Sequence, residues 1–214
     1  MSSKTAFTGL SMPVFTAFGW AGEETAINFA LDQLEQFVHL LHNNLSRQAK
    51  GDLPFAGLSK ANQSVYISAS EAPEEDLHIA FFARPLNLEM QLALTDTKAL
   101  AKALKNAEAQ PVMAHRLITE LGADWSFRLQ QVQVDDESGE EAHYQDLFKD
   151  SITALSPEIS AEVLSKAAYL NSEDKWVTPF YLSKRIPAEQ ASALRLALTD
   201  VLRDQIDELV RLIH

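Results

Sequence analysis

The chain has no cysteine and only seven glycines. The first shortage excludes disulfides, thiolate nucleophiles, Cys-ligated zinc and iron–sulfur clusters. The second makes phosphate-cradling loops hard to build, and neither GxxxxGK[ST] nor GxGxxG occurs. GxSxG and HExxH are absent as well, which removes the nucleophile elbow and the zincin pair. Any chemistry falls to carboxylates, histidines or tyrosines.

Positive charge is also scarce. Eighteen Lys plus Arg face thirty Asp plus Glu, a formal net charge of −12, and no basic run is longer than Lys184-Arg185. Such a surface repels phosphate backbones and anionic headgroups, so general nucleic-acid or membrane binding is not expected. The uncharged stretch from Thr5 to Gly22 is broken by Thr8, Gly9, Ser11, Pro13, Thr16 and Gly19, too polar for a signal core or a bilayer span. A cytoplasmic location is the expectation.

What is present describes an ordinary globular chain: 46% hydrophobic and 22% charged residues, with enough length to bury roughly 70% of its unfolded surface. No Gly/Ser or Pro-rich linker interrupts it, so residues 1–214 read as one domain. Within it, 1–22 form an aromatic arm (Phe7, Phe15, Phe18, Trp20), irregular or a short strand, packed on the core. A helix is expected from Glu23 to Lys50, its stripe formed by Ile27, Ala30, Leu31, Leu34, Phe37, Val38, Leu41 and Leu45. A second long helix spans Pro187 to Ile213, with Leu194, Leu198, Val201, Leu202, Leu209 and Ile213 as its stripe. Shorter helices are expected at Asp96–Asn106, at Pro111–Leu121, and at Pro157–Leu170 with Ser156 as N-cap.

Between the helices the apolar period changes to two. Val65-Ile67-Ala69, Leu77-Ile79-Phe81-Ala83 and Leu88-Met90-Leu92-Leu94 alternate, with short connections that favour an antiparallel meander. A fourth strand starts at Trp125, and its parity slips near Gln130-Gln131, where a β-bulge is predicted. The acidic tract Asp135 to Glu141 reads as a hairpin tip, Tyr144 to Phe148 as a fifth strand, and Trp176-Thr178-Phe180-Leu182 as a sixth, with Pro179 placing it at an edge or marking its end. The fold class is α+β: a five- to six-stranded, meander-like antiparallel sheet, two long amphipathic helices packed on one face, and shorter helices at the ends. The segment LALTD at 92–96 recurs at 196–200, once in a strand pattern and once in a helical one, which argues against a duplicated unit.

The candidate site is the sheet face opposite the core. Inward-pointing Leu77, Ile79, Phe81 and Ala83 send His78, Phe82 and Arg84 outward, joined by Tyr66, Ser68, Glu89, Gln91, Ser126 and Arg128. Such a platform could grip a polar or anionic ligand, with Phe82 stacking on it, although a solvated sheet face has the same composition. Glu35, His39 and His42 share one side of the first helix and could contribute to a metal site, but they flank its apolar stripe as a polar margin would. The acidic hairpin tip lacks the EF-hand spacing, and Ser172-Glu173-Asp174-Lys175, which spells SxxK, falls between a helix and a strand where serine and lysine point apart. Asp76 with Glu89-Met90-Gln91 loosely follows the acidic positions of metal-dependent nucleases, but Gln91 stands where a lysine is needed.

No cofactor is expected. The leading expectation is a non-enzymatic binding or assembly module whose partner is a protein, itself or another. The alternatives are a small-molecule enzyme or sensor built on the polar face, and an acidic mimic of nucleic acid.

Overall fold

The computed structural model describes residues 7–19, 23–73, 76–95, 105, 109–134, 141–171 and 176–213. It mixes helices with an antiparallel sheet to which eight strands contribute. The chain divides into two compact units, one made of 1–73, 78–90 and 185–214, the other of 74–77 and 91–184. No helix among the described residues is long and apolar enough to cross a membrane.

The first unit opens with α1, Met12–Ala17, a short helix in which Pro13 stands near the N-terminus, where its missing N–H costs nothing. Within the expected arm, residues 7–11 are irregular and residues 12–17 are helical; Phe15 is buried and Phe7 and Phe18 are half-buried, and Trp20 lies outside the described residues. The long helix expected over Glu23–Lys50 is two helices, α2 (Glu24–Asn44) and α3 (Arg47–Asp52). Leu45 turns extended between them, and Ser46 restarts the helix as N-cap by accepting from the Ala49 N–H at 3.1 Å. The serine is the cause: its side chain satisfies a donor that a continuous helix would have bonded to its own backbone.

A strand that the alternation missed follows, β1 (Phe55–Ser59), paired antiparallel with β2 (Ser64–Ser68), which pairs in turn with β3 (His78–Arg84). The two-residue connection Pro85-Leu86 leads into β4 (Asn87–Leu94), so the meander order β1-β2-β3-β4 holds. Ile67 pairs with Ile79 and Val65 with Phe81, all fully buried, beneath Leu34, Phe37, Val38 and Leu41 of α2. Phe37 meets Phe81 edge-on, with ring centroids 5.7 Å apart.

The C-terminal helix is also interrupted. It consists of α6 (Ala188–Leu194) and α7 (Ala197–Ile213), separated by Arg195 at φ 50°, ψ −123°. That conformation suits glycine, and arginine holds it at a cost of about 1–3 kcal/mol. Gly9, itself at φ 109°, lies against this turn so closely that a Cβ would stand 2.5 Å from the Arg195 Cα. Leu198, Leu202, Ile206 and Leu209 of α7 are buried together with Thr199 and Val210, so the buried stripe runs on the side of Leu198 away from Val201, which was expected in it and is 38% exposed. α7 packs on α2 and α3, and the Ser46 hydroxyl donates to Asp207 Oδ1 at 2.7 Å.

In the second unit α4 (Pro111–Thr119) packs on α5 (Pro157–Asn171), whose first turn is capped by Ser156 accepting from the Ile159 N–H at 3.2 Å. The strands are β5 (Trp125–Val134), β6 (Glu141–Ser151), β7 (Trp176–Val177) and β8 (Phe180–Pro187), and the hydrogen-bonded order from β4 onward is β4-β8-β5-β6 with β7 on β5. β8 therefore comes between β4 and β5, and the meander ends there. The expected sixth strand is interrupted at Thr178-Pro179: proline has no N–H to give the ladder, and its carbonyl accepts from the Gln130 N–H at 3.1 Å. Pairing of β5 with β6 shifts between Leu129 and Gln130, where the bulge was expected, but the additional residue is Leu147 on β6, since Leu129 faces Phe148 and Gln130 faces Asp146. Phe127, Phe148 and Phe180 cluster on the core side, 5.8 and 6.2 Å from ring to ring. The helix expected at Asp96–Asn106 and the acidic tip at Asp135–Glu141, of which Glu141 begins β6, fall largely outside the described residues, and the SxxK segment at 172–175 wholly so.

Candidate functional site

Of the expected inward set, Ile79, Phe81, Ala83, Leu88, Met90 and Leu92 are buried, whereas Leu77 lies before β3 and is half-buried; Ala80 and Ala93, of the opposite parity, are buried as well. The candidate side chains occupy the other face, but they divide between the units: Tyr66, His78, Phe82, Arg84 and Glu89 belong to the first, Gln91 and Arg128 to the second.

In the first unit, Tyr66 pairs with Gly57 across β1 and β2, and its ring covers that glycine; a Cβ on Gly57 would lie 2.8 Å from the Tyr66 hydroxyl. The close approach, rather than backbone conformation, is what demands glycine here. His78 faces Ser68. The Arg84 guanidinium lies 5.0 Å over the Phe82 ring, a contact contributing about 0.5–1 kcal/mol at an exposed position. Glu89, with its side chain 16% exposed, meets Arg185 of β8 at 3.5 Å.

In the second unit, Gln91 donates to the Ser183 hydroxyl at 3.3 Å, and Ser126 donates to the Ser183 carbonyl at 3.3 Å. Arg128 donates through Nε to Asp146 Oδ1 at 2.7 Å, and its guanidinium lies 5.8 Å from the centroid of the Tyr181 ring. Lys149 approaches the other oxygen of Asp146 at 3.8 Å. On the core side Lys184 reaches Asp124 at 2.5 Å beside the Trp125 ring. The hydrogen bond from Lys184 holds the Asp124 carboxyl below its ordinary range, against a smaller opposing effect of burial.

The α2 candidates do not come together. His39 is exposed, whereas His42 bonds through Nε2 to the Leu53 carbonyl at 3.0 Å and fixes the chain that leads into β1. Among the described residues no three His, Asp or Glu side chains converge as a metal set would. One contact escaped the sequence: His115 Nδ1 lies 2.9 Å from the Ser160 hydroxyl. Ser160 is 2% exposed, so an acyl group could not reach its oxygen, and the pair ties α4 to α5. Its two members are far apart in sequence, and neither stands in a recognisable motif. No family model matches this chain, and no curated protein matches it.

Proposed function

We propose that the protein is a non-enzymatic binding or assembly module acting in the cytoplasm, with α2 and α7 covering one side of the sheet and the opposite side and its edge left for contact with another polypeptide. The observation that carries this reading is the mutual engagement of the outward polar groups: Arg84 on Phe82, Glu89 with Arg185, Gln91 with Ser183, Arg128 with Asp146. Groups held by one another within each unit give that unit an ordered polar surface for recognition, whereas a catalytic constellation requires a nucleophile, its base and an orienting group chained together within reach of substrate. Sedimentation velocity combined with affinity capture scored by stoichiometry tests the proposal. A strict monomer that retains no stoichiometric partner would overturn it.

A second reading, as a sensor of a small anion, draws on Arg128 alone. Asp146 takes its Nε–H, which leaves the terminal amino pair to meet a carboxylate or phosphate beside Lys149. Titration with inorganic phosphate should move the Arg128 Nε–H resonance in the wild type, and calorimetry should show phosphate binding lost in Arg128→Lys. The acidic-mimic reading draws no support from α7, where Arg203 pairs with Asp200 and Asp204 in a mixed-sign surface.

A further inference from the structure

We propose that the arm of residues 7–17 is a strap that holds the helix of residues 188–213 broken at Arg195, and that lifting the strap joins α6 and α7 into one continuous helix. Local sequence supplies no reason for the break. Neither glycine nor proline occurs between Ala188 and Ile213, and the turn is flanked by Ala193, Leu194, Leu196 and Ala197, which with arginine are among the best helix formers. The buried positions Ala188, Ala191, Leu198, Leu202 and Ile206, with half-buried Leu194 among them, recur at three- and four-residue spacing straight through the turn. One unbroken helix therefore keeps the same apolar stripe. Arg195 nevertheless stands at φ 50°, ψ −123°, a conformation open to glycine and costly for arginine.

What meets the turn is the arm. Gly9 is buried against it with no room for a side chain, since a Cβ would stand 2.5 Å from the Arg195 Cα and 2.6 Å from its carbonyl carbon. Leu10, Val14 and Phe15 anchor the arm by burial, and α1 packs on α2, α6 and β3, all within the first unit. The apolar surface they remove from water is what offsets the strain at Arg195. The two states differ at Ala197. As the first residue of α7 its N–H has no acceptor in that helix, and Leu198 and Thr199 reach back only three residues, to the carbonyls of Arg195 and Leu196 at 3.2 and 3.1 Å. In the joined helix Ala197 donates to the Ala193 carbonyl.

A double-mutant cycle of Gly9→Ala, which pushes the arm off the turn, and Arg195→Gly, which relieves the turn itself, tests the proposal by denaturant unfolding and amide exchange. Alone, Arg195→Gly should raise the folding equilibrium constant about fivefold or more. In the Gly9→Ala background, where residue 195 is helical, the same change should lower it about two- to fivefold, because glycine is unfavourable inside a helix. The Ala197 amide should exchange more slowly in Gly9→Ala than in wild type. Where Gly9→Ala does not fold, Arg195→Gly decides by itself. Glycine then stabilises only the strapped state, so the Val14 amide, bonded to the Ser11 carbonyl at 2.9 Å, should exchange about fivefold more slowly relative to the amides of α3. An Arg195→Gly that does not stabilise the wild type, that stabilises both backgrounds alike, or that leaves Val14 exchange unchanged overturns the strap. The last two outcomes assign the break to the separate packing of α6 and α7.

Discussion

β1 and β6 each end a run of paired strands, β1 in the first unit and β6 in the second, and their composition differs in every respect that governs edge pairing. β6 is long, carries Asp146, Lys149 and Asp150, and breaks register with β5 twice. Asp150 pairs with the buried Phe127 but is itself exposed, a charge at the edge that a further strand would have to bury. β1 is short, uncharged and in continuous register. The contrast separates a strand shaped to end a sheet from one that can be extended.

The largest effect that bears on this contrast comes from the core beneath β1 and β2. Phe37→Ala removes a ring that is 1% exposed and meets Phe81 edge-on, leaving a cavity under the first unit's strands. A loss of about 3–5 kcal/mol is expected in denaturant unfolding. Next comes Ser46→Ala, which deletes both the cap of α3 and the bond to Asp207. It should cost about 1–2 kcal/mol and speed amide exchange in α3 and the chain that leads into β1, leaving β6 unchanged.

The legibility of the sequence follows the same division between local and remote causes. The α2 stripe, the alternation of β3 and β4 and the Ser156 cap depend on neighbours a few residues apart, and each could be read directly. β1 could not, because Gly57 sits in its centre and its partner Tyr66, which makes that glycine necessary, belongs to another strand. The position of β8 between β4 and β5 is set by pairing across a long interval, and the break at Arg195 lacks the glycine that would have marked it. LALTD makes the point most directly, since Leu92–Leu94 are strand and Ala197–Asp200 are helix; surroundings override the same letters. At the candidate face the outward parity was legible, but the partners Arg185, Ser183 and Asp146 were not.

A smaller effect, dependent on pH, belongs to the core side of the second unit. The Asp124 carboxyl titrates lower in the folded chain because Lys184 donates to it. The ionised form therefore stabilises the fold above the unfolded pKa, and the contribution disappears as pH falls through the lower folded value. Asp124 is largely exposed, so Asp124→Asn should cost no more than about 0.2–1 kcal/mol at neutral pH. Stability curves of wild type and variant should converge as the pH drops below about 4. Convergence on the alkaline side instead would assign the stabilisation to another group.

The smallest expected change in stability is the one that probes the contrast most directly. Lys149→Thr together with Asp150→Thr removes two charges from β6 while keeping β propensity, and both positions are exposed. Unfolding free energy should move by about 0.5 kcal/mol or less. Association should nevertheless increase, because the stripped edge loses the Asp150 carboxylate and its single lysine, and light scattering at raised protein concentration should report it. The bulge at Leu147 still twists the strand, so the increase should be confined to weak, reversible species. If the double variant scatters no more than wild type, the register breaks alone guard β6, and the absence of a bulge in β1 becomes the property that leaves it open.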